Sequence, residues 1–178
     1  RNFTYAVFGK EILKQPSGIA FQIWDVDGAK WLRKEEYGDD VTKKIQADTI
    51  EDFAGRLCDA GLNNKQQFLQ TISDFNAAVR AFRGENPEAK FDPASKDGLS
   101  TQSNSIKLRL AKSNWALPIA NGPFTAVKVT TGITFTFGGL SCDPKTGLAI
   151  SEATRQPIKG LYCIGELLGG LFWDNYPG

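Results

Sequence analysis

The chain has 178 residues, 41% of them apolar, so it is long enough to bury the core of one medium domain or of two small ones. Its 21 basic and 20 acidic residues leave a net charge of +1, which argues against the basic surface that nucleic-acid binding requires. The chain contains no histidine, which excludes Ser-His and Cys-His catalysis by its own residues and removes the commonest zinc ligand.

The start of the chain and its cysteines bear on the length of the whole polypeptide and on its cellular compartment. The chain begins at Arg1 and contains no methionine, so we expect it to be a piece of a longer polypeptide, to which its function belongs. Three widely spaced cysteines, Cys58, Cys142 and Cys163, favour reduced thiols in an intracellular, cytoplasmic setting over a disulfide framework, and they form no metal cluster. No apolar run approaches the roughly 20 residues that a membrane span needs.

The N-terminal half predicts one strand and a helical hairpin. Residues 18–25 alternate large apolar with smaller or polar side chains and are followed by a turn signal, which predicts a strand. Thr49 is expected to cap a helix that ends near Gly61. Apolar residues at spacings of three and four then predict a longer helix that starts at Asn63 or Asn64, runs to about Arg83 and is stopped by Gly84.

The C-terminal half predicts a long excursion followed by strands. Polar residues from Glu85 to Asn114 indicate little regular structure. Strands are predicted over 124–131 and 133–142, with a hairpin turn over 143–147. The apolar run 161–164 is typical of a fully buried parallel strand, and it places Glu166 at the strand's C-terminal end, where open α/β sheets bind ligands.

Three motifs occur in an order that resembles a known family. They are Thr136-Phe-Gly-Gly-Leu-Ser-Cys-Asp143, then Pro157-Ile-Lys-Gly-Leu-Tyr-Cys-Ile-Gly-Glu166, then Gly169-Gly170 with Asn175. This order resembles the fumarate reductase and succinate dehydrogenase flavoprotein family, and the resemblance covers nearly the whole chain. The motif Lys112-Ser-Asn-Trp-Ala116 and the end of the chain look most like the tricarballylate dehydrogenase branch of that family.

The resemblance implies an α+β fold in which a capping domain, with a helical hairpin and a small sheet, precedes the returning β-rich segment of an FAD-binding α/β domain. Residues 1–18 would lead in from the flavin domain, residues 19–125 would form the capping domain that covers the substrate, and residues 126–178 would be the C-terminal FAD-binding segment. The family's glycine-rich phosphate fingerprint is absent from this sequence. We therefore expect the chain alone to lack FAD and to be inactive.

The resemblance also implies the cofactor-binding residues, which are Gly138, Gly139, Gly165, Glu166 and Asn175. Glu166 matches the glutamate that hydrogen-bonds the sugar-like chain of FAD, and Gly138-Gly139 lets the backbone approach the isoalloxazine ring. Without the surrounding motifs, the two glycines would instead indicate a bulge or a tight turn. No metal site is implied.

The implied substrate-binding residues are Tyr176 and its expected neighbour Thr134. Fumarate reductases carry a histidine just before the Thr-x-Gly-Gly segment and an arginine after the final asparagine, whereas this chain has Thr134 or Phe135 and Tyr176 there. The departures argue against a standard fumarate reductase. Arg1 is the nearest candidate for the family's catalytic, proton-shuttling arginine, although a solvated terminal arginine is the alternative interpretation.

The implied activity is that of an FAD-dependent oxidoreductase, which transfers a hydride between flavin and a carbon–carbon single or double bond next to a carboxylate or carbonyl. The expected partner is a small carboxylate or carbonyl substrate, and the electron acceptor is not indicated. Because Tyr-Pro-Gly at this place also resembles ketosteroid dehydrogenases, a 3-ketosteroid dehydrogenase-like enzyme is the first alternative. An isolated cap module with a structural or protein-binding role is the second.

Overall fold

The computed structural model describes residues 5–90, 92, 94–112, 115–133 and 136–171, and within them helices and two small sheets form an α+β structure. The helices are α1 (Tyr5–Leu13), α2 (Val26–Ala29), α3 (Lys34–Tyr37), α4 (Ile50–Asp59) and α5 (Lys65–Glu85). The strands are β1 (Ala20–Trp24), β2 (Lys44–Ala47), β3 (Phe124–Val129), β4 (Leu148–Ile150) and β5 (Pro157–Tyr162). No helix in this part of the chain is long and apolar enough to cross a membrane.

The first sheet is antiparallel, with the order β1-β3-β2. Trp24 is opposite Thr125 across β1 and β3, and Ala47 is opposite Phe124 across β2 and β3. As the central strand, β3 is buried from residue 124 to residue 127. The predicted strands 18–25 and 124–131 are therefore confirmed in slightly shorter form, whereas α1 and β2 have no counterpart among the predicted elements.

The predicted helical hairpin is present as α4 and α5. The Thr49 side chain accepts a hydrogen bond from the backbone N–H of Asp52 at 3.2 Å, and Asn64 accepts one from Gln67 at 2.9 Å, so each helix begins at the predicted cap. The prediction that Gly84 stops α5 is wrong, because the helix continues to Glu85. It ends before Pro87, which disfavours a helical conformation at the preceding residue.

The hydrophobic core lies between α4 and the first sheet. Phe53 and Leu57 are fully buried on α4, and their main partners on β3 are Phe124 and Ala126. The Phe53 ring centroid lies 5.7 Å from that of Phe124 and 6.3 Å from that of Phe68 on α5. The hairpin therefore packs its apolar stripe on the sheet and on itself, as its periodicity predicts.

Two buried polar side chains tie the chain before β3 to the rest of this unit. Asp25, 2% exposed, accepts hydrogen bonds from the backbone N–H groups of residues 27, 28, 120 and 121. On α5, Asn76 donates to the Ile119 carbonyl at 2.8 Å and accepts from the Ile119 N–H at 2.7 Å. Both side chains satisfy backbone groups in a connection that has no strand partner of its own.

The excursion after α5 is irregular, as predicted, but it is anchored at one point. The Glu85 carboxylate accepts hydrogen bonds from the backbone N–H groups of Asn104 and Ser105, at 2.6 and 3.0 Å, and from the Ser105 hydroxyl at 2.7 Å. Nearby Thr101 and Ser103 are buried. These bonds fix the turn at residues 103–106 against the end of α5.

Two strand predictions in the C-terminal third are wrong. Residues 131–133 and 136–141 form no strand in the described part of the chain, and Leu140 makes only an isolated parallel bridge to Leu168. The run 161–164 is not a buried parallel strand, because β5 pairs antiparallel with β4, is exposed along its length, and ends at Tyr162. Among the described residues no helix or second sheet covers β5, so its apolar side chains remain accessible. The predicted turn over 143–147 is confirmed by the Gly147 N–H, which donates to the Asp143 carbonyl at 2.8 Å.

Candidate functional site

The motifs singled out in the sequence meet at one place in the fold. The 3₁₀ turn Gly165–Leu167 directly follows β5 and lies beside residues 136–140. The Glu166 Oε1 atom accepts a hydrogen bond from the backbone N–H of Thr136 at 3.0 Å. We refer to Gly138, Gly139, Gly165, Glu166 and Gly169 as the Gly-Glu site.

Backbone hydrogen bonds hold the two halves of the Gly-Glu site together. The Leu140 N–H donates to the Leu167 carbonyl at 2.8 Å, and the Gly169 N–H donates back to the Leu140 carbonyl at 3.0 Å. The Gly170 N–H donates to the Phe137 carbonyl at 3.3 Å. The two segments therefore run side by side although about 30 residues separate them in sequence, as expected for a short parallel pairing.

The glycines of the site serve two different purposes. A Cβ at Gly139 would lie 2.5 Å from the Gly169 nitrogen and 2.6 Å from the Leu167 carbonyl oxygen, so Gly139 is required by contact within the chain. A Cβ at Gly138 or Gly165 would meet nothing within 4 Å, and Gly165 has a φ of +62°. At Gly139 the group that approaches closely is therefore the protein's own backbone, whereas Gly138 faces open space.

The surface of the site combines an acidic acceptor with apolar side chains. Glu166 is exposed, and its carboxylate has more accepting positions than the bond from Thr136 uses. Around it, Phe137, Leu167 and Leu171 are 45%, 58% and 51% exposed. Exposed apolar groups clustered beside a polar group are typical of a ligand or interdomain surface.

A pair of thiols adjoins the two segments of the site in sequence. Cys163, three residues before Glu166, is buried, and Cys142 is half-buried. Burial raises the pKa of the Cys142 thiol, and its hydrogen bond with Cys163 raises that pKa further. A thiol with a raised pKa stays protonated near neutral pH, which argues against a nucleophilic role for Cys142. No group of three metal-ligating side chains is found among the described residues.

Four of the residues implied by the resemblance lie outside the described residues. They are Arg1, Thr134, Asn175 and Tyr176. The structure brings Gly138, Gly139, Gly165 and Glu166 together, and it adds Thr136, whose backbone N–H holds the Glu166 carboxylate. Sequence reasoning missed this role of Thr136 because a main-chain donor leaves no signal in residue type.

The Gly-Glu site fits one part of FAD. Open space over Gly138 and Gly165 admits a flat ring or a sugar-like chain without a Cβ in the way, and the exposed Glu166 carboxylate accepts hydrogen bonds from hydroxyl groups. The pyrophosphate has no such partner here, because the sequence contains no Gly-x-Gly-x-x-Gly turn. The residues present therefore fit the ring and the sugar-like chain of the cofactor rather than its phosphates.

Comparison with known proteins identifies the family of the chain. The family described as "FAD binding domain" matches residues 4–178. The chain is 33% identical over 138 residues to 4-oxocyclohex-2-ene-1-carboxylate 5-dehydrogenase of Sinomonas cyclohexanicum, covering 75% of this chain and 20% of that protein. It is 30% identical over 134 residues to NADH:acrylate oxidoreductase of Vibrio harveyi, covering 75% of this chain and 10% of the relative.

A solved structure agrees with these relatives. The open conformation of a flavocytochrome c3 fumarate reductase superposes with a TM-score of 0.57 at 25% identity, covering 94% of this chain and 25% of the other. The chain thus spans a quarter or less of the length of these three proteins. Because the family match extends over nearly the whole sequence, the chain belongs to the FAD-binding domain family of fumarate reductase and succinate dehydrogenase flavoproteins.

Proposed function

We propose that the chain is the capping domain and C-terminal flavin-contacting segment of an FAD-dependent oxidoreductase. The observation that carries the proposal is the pairing of residues 136–140 with residues 165–170, which presents Glu166 and open glycines on one surface. A carboxylate held by a main-chain N–H is oriented before a ligand arrives, so it loses little freedom on binding. Its proposed role is to accept hydrogen bonds from the sugar-like chain of FAD.

The proposed division into domains is 1–18, 19–125 and 126–178. The sheet β1-β3-β2 with α4 and α5 supports a cap with its own core, and the boundary at residue 125 falls within β3. On the C-terminal segment, Ile158, Leu161 and Ile164 are 40%, 48% and 82% exposed. We propose that the remainder of the flavin domain of the whole protein covers these side chains, because apolar side chains clustered on a surface favour burial.

The proposed substrate is a small unsaturated carboxylate or its saturated counterpart. The three compounds named in the relatives, oxocyclohexene carboxylate, acrylate and fumarate, each combine a carboxylate with a carbon–carbon double bond. Within that class, the Lys112-Ser-Asn-Trp-Ala116 motif favours a tricarballylate-like polycarboxylate. FAD supplies the hydride-accepting or hydride-donating chemistry when it is bound.

The proposed substrate-contacting residue is Tyr176, with Thr134 beside it and Asn175 in the cofactor shell. A phenol donates one oriented hydrogen bond, and a bond to an oxygen that gains charge during hydride transfer strengthens in the transition state. Arg1 is the proposed proton-transferring group. The roles proposed for Tyr176, Thr134, Asn175 and Arg1 all derive from the sequence motifs.

Two alternatives follow from specific residues. Tyr176-Pro177-Gly178 also matches a ketosteroid-type dehydrogenase, in which the phenol would polarise a ketone. The well-packed core of α4 and the first sheet is compatible with a cap module that has only a structural or protein-binding role. Turnover by the whole protein discriminates among the three candidates. The proposed enzyme reduces a small unsaturated carboxylate, a ketosteroid-type enzyme dehydrogenates a 3-ketosteroid, and a cap module does neither.

The experiment compares wild type with Tyr176→Phe in the whole protein, using reduced viologen as the electron donor and fumarate and acrylate as probes. We expect kcat/KM to fall about 10- to 1000-fold, the loss that follows removal of one oriented donor, with unchanged flavin content. Tyr162→Phe, which removes an exposed hydroxyl from β5, is the matched control. Normal turnover by Tyr176→Phe, or loss of flavin from it, would show that Tyr176 does not act on the substrate.

A further inference from the structure

A cavity lies on the face of the first sheet opposite the hydrophobic core. Because side chains alternate along a strand, Phe124 and Ala126 face α4 while Thr125 points to the other side. On that side Gln46 on β2 donates a hydrogen bond to the Thr125 hydroxyl at 3.1 Å. Lys44 lies on the same face, so this part of the sheet carries polar groups that solvent or a ligand can contact.

The segment that contains α2 and α3 forms the other wall of the cavity. Tyr37 packs edge-on against Trp24 with ring centroids 5.3 Å apart, and its hydroxyl donates to Gln22 at 3.2 Å, which joins α3 to β1. Between this segment and the sheet is a space of about 310 Å³. Its volume is at the small end of ligand pockets. The lining residues are Ala29, Leu32, Arg33, Lys34, Tyr37, Gly38, Asp39, Lys44, Gln46 and Thr125.

The charges that line this cavity are predominantly positive. Arg33, Lys34 and Lys44 line it together with one carboxylate, that of Asp39. Arg33 is already paired with Glu36 at 2.8 Å, which leaves Lys34 and Lys44 as the cations available to a ligand. The Lys44 side chain is only 20% exposed, whereas its partner Asp39, 2.8 Å away, is 94% exposed. The ammonium is therefore held in the cavity, while the carboxylate that balances it lies in solvent, where an ion pair contributes little.

The hydrogen-bonding groups in the cavity match an anionic ligand. Thr125 is 5% exposed, and its hydroxyl already accepts a bond from Gln46, so its hydrogen is left to donate. Lys44 contributes a charged donor from the same sheet face. An oxyanion that replaces Asp39 as the partner of Lys44 would gain a charge-assisted hydrogen bond in a partly enclosed space.

We propose that this cavity binds a small oxyanion, a carboxylate or a phosphate, with Lys44 and Thr125 as its main contacts and Lys34 as an additional charge. None of the lining residues belongs to the Gly-Glu site, so the inference does not depend on the proposed function. It assigns the unit built on the first sheet a ligand site of its own.

The test is a titration of the 178-residue chain, followed by NMR amide shifts, with sodium succinate and inorganic phosphate in separate arms at constant ionic strength. We expect saturable shifts at residues 44–46 and 125 with at least one probe. Lys44→Met, which keeps the aliphatic stem, should weaken the binding of that probe about 10- to 100-fold, as expected for the loss of one charged hydrogen bond. Lys34→Met should weaken it less.

The matched control is Lys159→Met, which removes the same charge from the exposed strand β5 and should leave affinity within about two-fold. Circular dichroism of each variant establishes that it folds. If Lys44→Met fails to fold, Lys34→Met and the wild-type shift map still decide the question. Absence of saturable shifts with both probes, or equal weakening by Lys44→Met and Lys159→Met, would overturn the proposal.

Discussion

At the scale of single residues, a few polar side chains organise long stretches of irregular backbone. Asp25 is the clearest case, because its buried carboxylate accepts hydrogen bonds from four backbone N–H groups in two separate segments. Its first two bonds are the local ones of a helix cap, while the bonds from residues 120 and 121 cross the sequence. The sequence predicted only a turn after residue 25, and it predicted neither the cap nor the bonds from residues 120 and 121.

Replacing Asp25 should therefore destabilise the protein strongly. Asp25→Ala leaves four backbone donors without their acceptor, and we expect a loss of about 3 kcal/mol or more in the free energy of unfolding. Urea denaturation followed by circular dichroism measures the change. Asp40→Ala, at an exposed position, should change stability by less than about 0.5 kcal/mol. Equal effects of the two substitutions would contradict the role given to Asp25.

Glu85 gives a pH dependence with a defined sign. The Asn104 backbone N–H and then the Ser105 hydroxyl lower the pKa of Glu85 below its ordinary value of 4.5. The unfolded chain therefore takes up the proton first, so the contribution of Glu85 to stability is complete above pH of about 4.5 and is lost as pH falls through the folded-state pKa. We expect Glu85→Gln to flatten this part of the stability profile between about pH 5 and 3.

The comparison uses thermal unfolding of wild type, Glu85→Gln and Glu88→Gln across that pH range. Glu88 is an exposed glutamate three residues further on, so its variant should keep the wild-type slope. A Glu85→Gln profile parallel to that of wild type would show that the bonds to residues 104 and 105 do not persist in solution.

At the scale of elements, the sequence predicted the long helices α4 and α5, whereas it predicted neither the shorter helices α1, α2 and α3 nor the strand pairings. The signals for α4 and α5 are local, because a cap residue and a period of three to four lie within one segment, and Thr49 and Asn64 act as predicted. A strand is defined by partners elsewhere in the chain. The run 161–164 has the composition of a buried strand, yet β5 pairs antiparallel with β4 and stays exposed, and composition alone does not reveal this.

The residues of the Gly-Glu site could be predicted from the sequence, but the contacts that hold them together could not. The motif order pointed to Gly138, Gly139, Gly165 and Glu166, and the structure brings these four residues together. The sequence predicted a strand over 133–142, whereas isolated contacts hold the described part of this segment, namely single hydrogen bonds to residues 165–170 and an antiparallel bridge from Cys142 to Ala149 on β4. Position 139 requires glycine because the backbone of Gly169 leaves no room for a Cβ. The two residues are distant in sequence, so the sequence does not reveal this contact.

The hairpin of α4 and α5 should be the most stable unit of the chain. Phe53 and Leu57 are fully buried against the sheet and the second helix, whereas the backbone of residues 86–112 is supported mainly by side-chain bonds. We expect amides in the middle of α4 and α5 to exchange with deuterium at least about ten-fold more slowly than those of residues 86–112. Equal exchange rates would mean that packing in the core does not make the hairpin locally more stable than the segment anchored by Glu85.

At the scale of the whole molecule, the chain combines a unit of α4, α5 and the first sheet, which has its own core, with a C-terminal segment whose apolar face is exposed. The core of α4 and the first sheet is complete within the described residues. The face formed by β5 and the Gly-Glu site has exposed apolar groups and an acceptor for a ligand. This asymmetry is what we expect if the segment completes a flavin site together with the rest of a longer protein.

The most direct test of this account is the flavin content of the whole protein after Glu166→Ala, with Glu152→Ala as the control at an exposed turn of the same segment. FAD per protein is measured by visible absorbance after gel filtration, and the dissociation constant by titration of the apoprotein. We expect Glu166→Ala to weaken FAD binding about 10- to 100-fold, the loss for one charged hydrogen bond, and Glu152→Ala to bind as wild type does. Wild-type FAD affinity in Glu166→Ala would contradict the assignment of the Gly-Glu site to the cofactor.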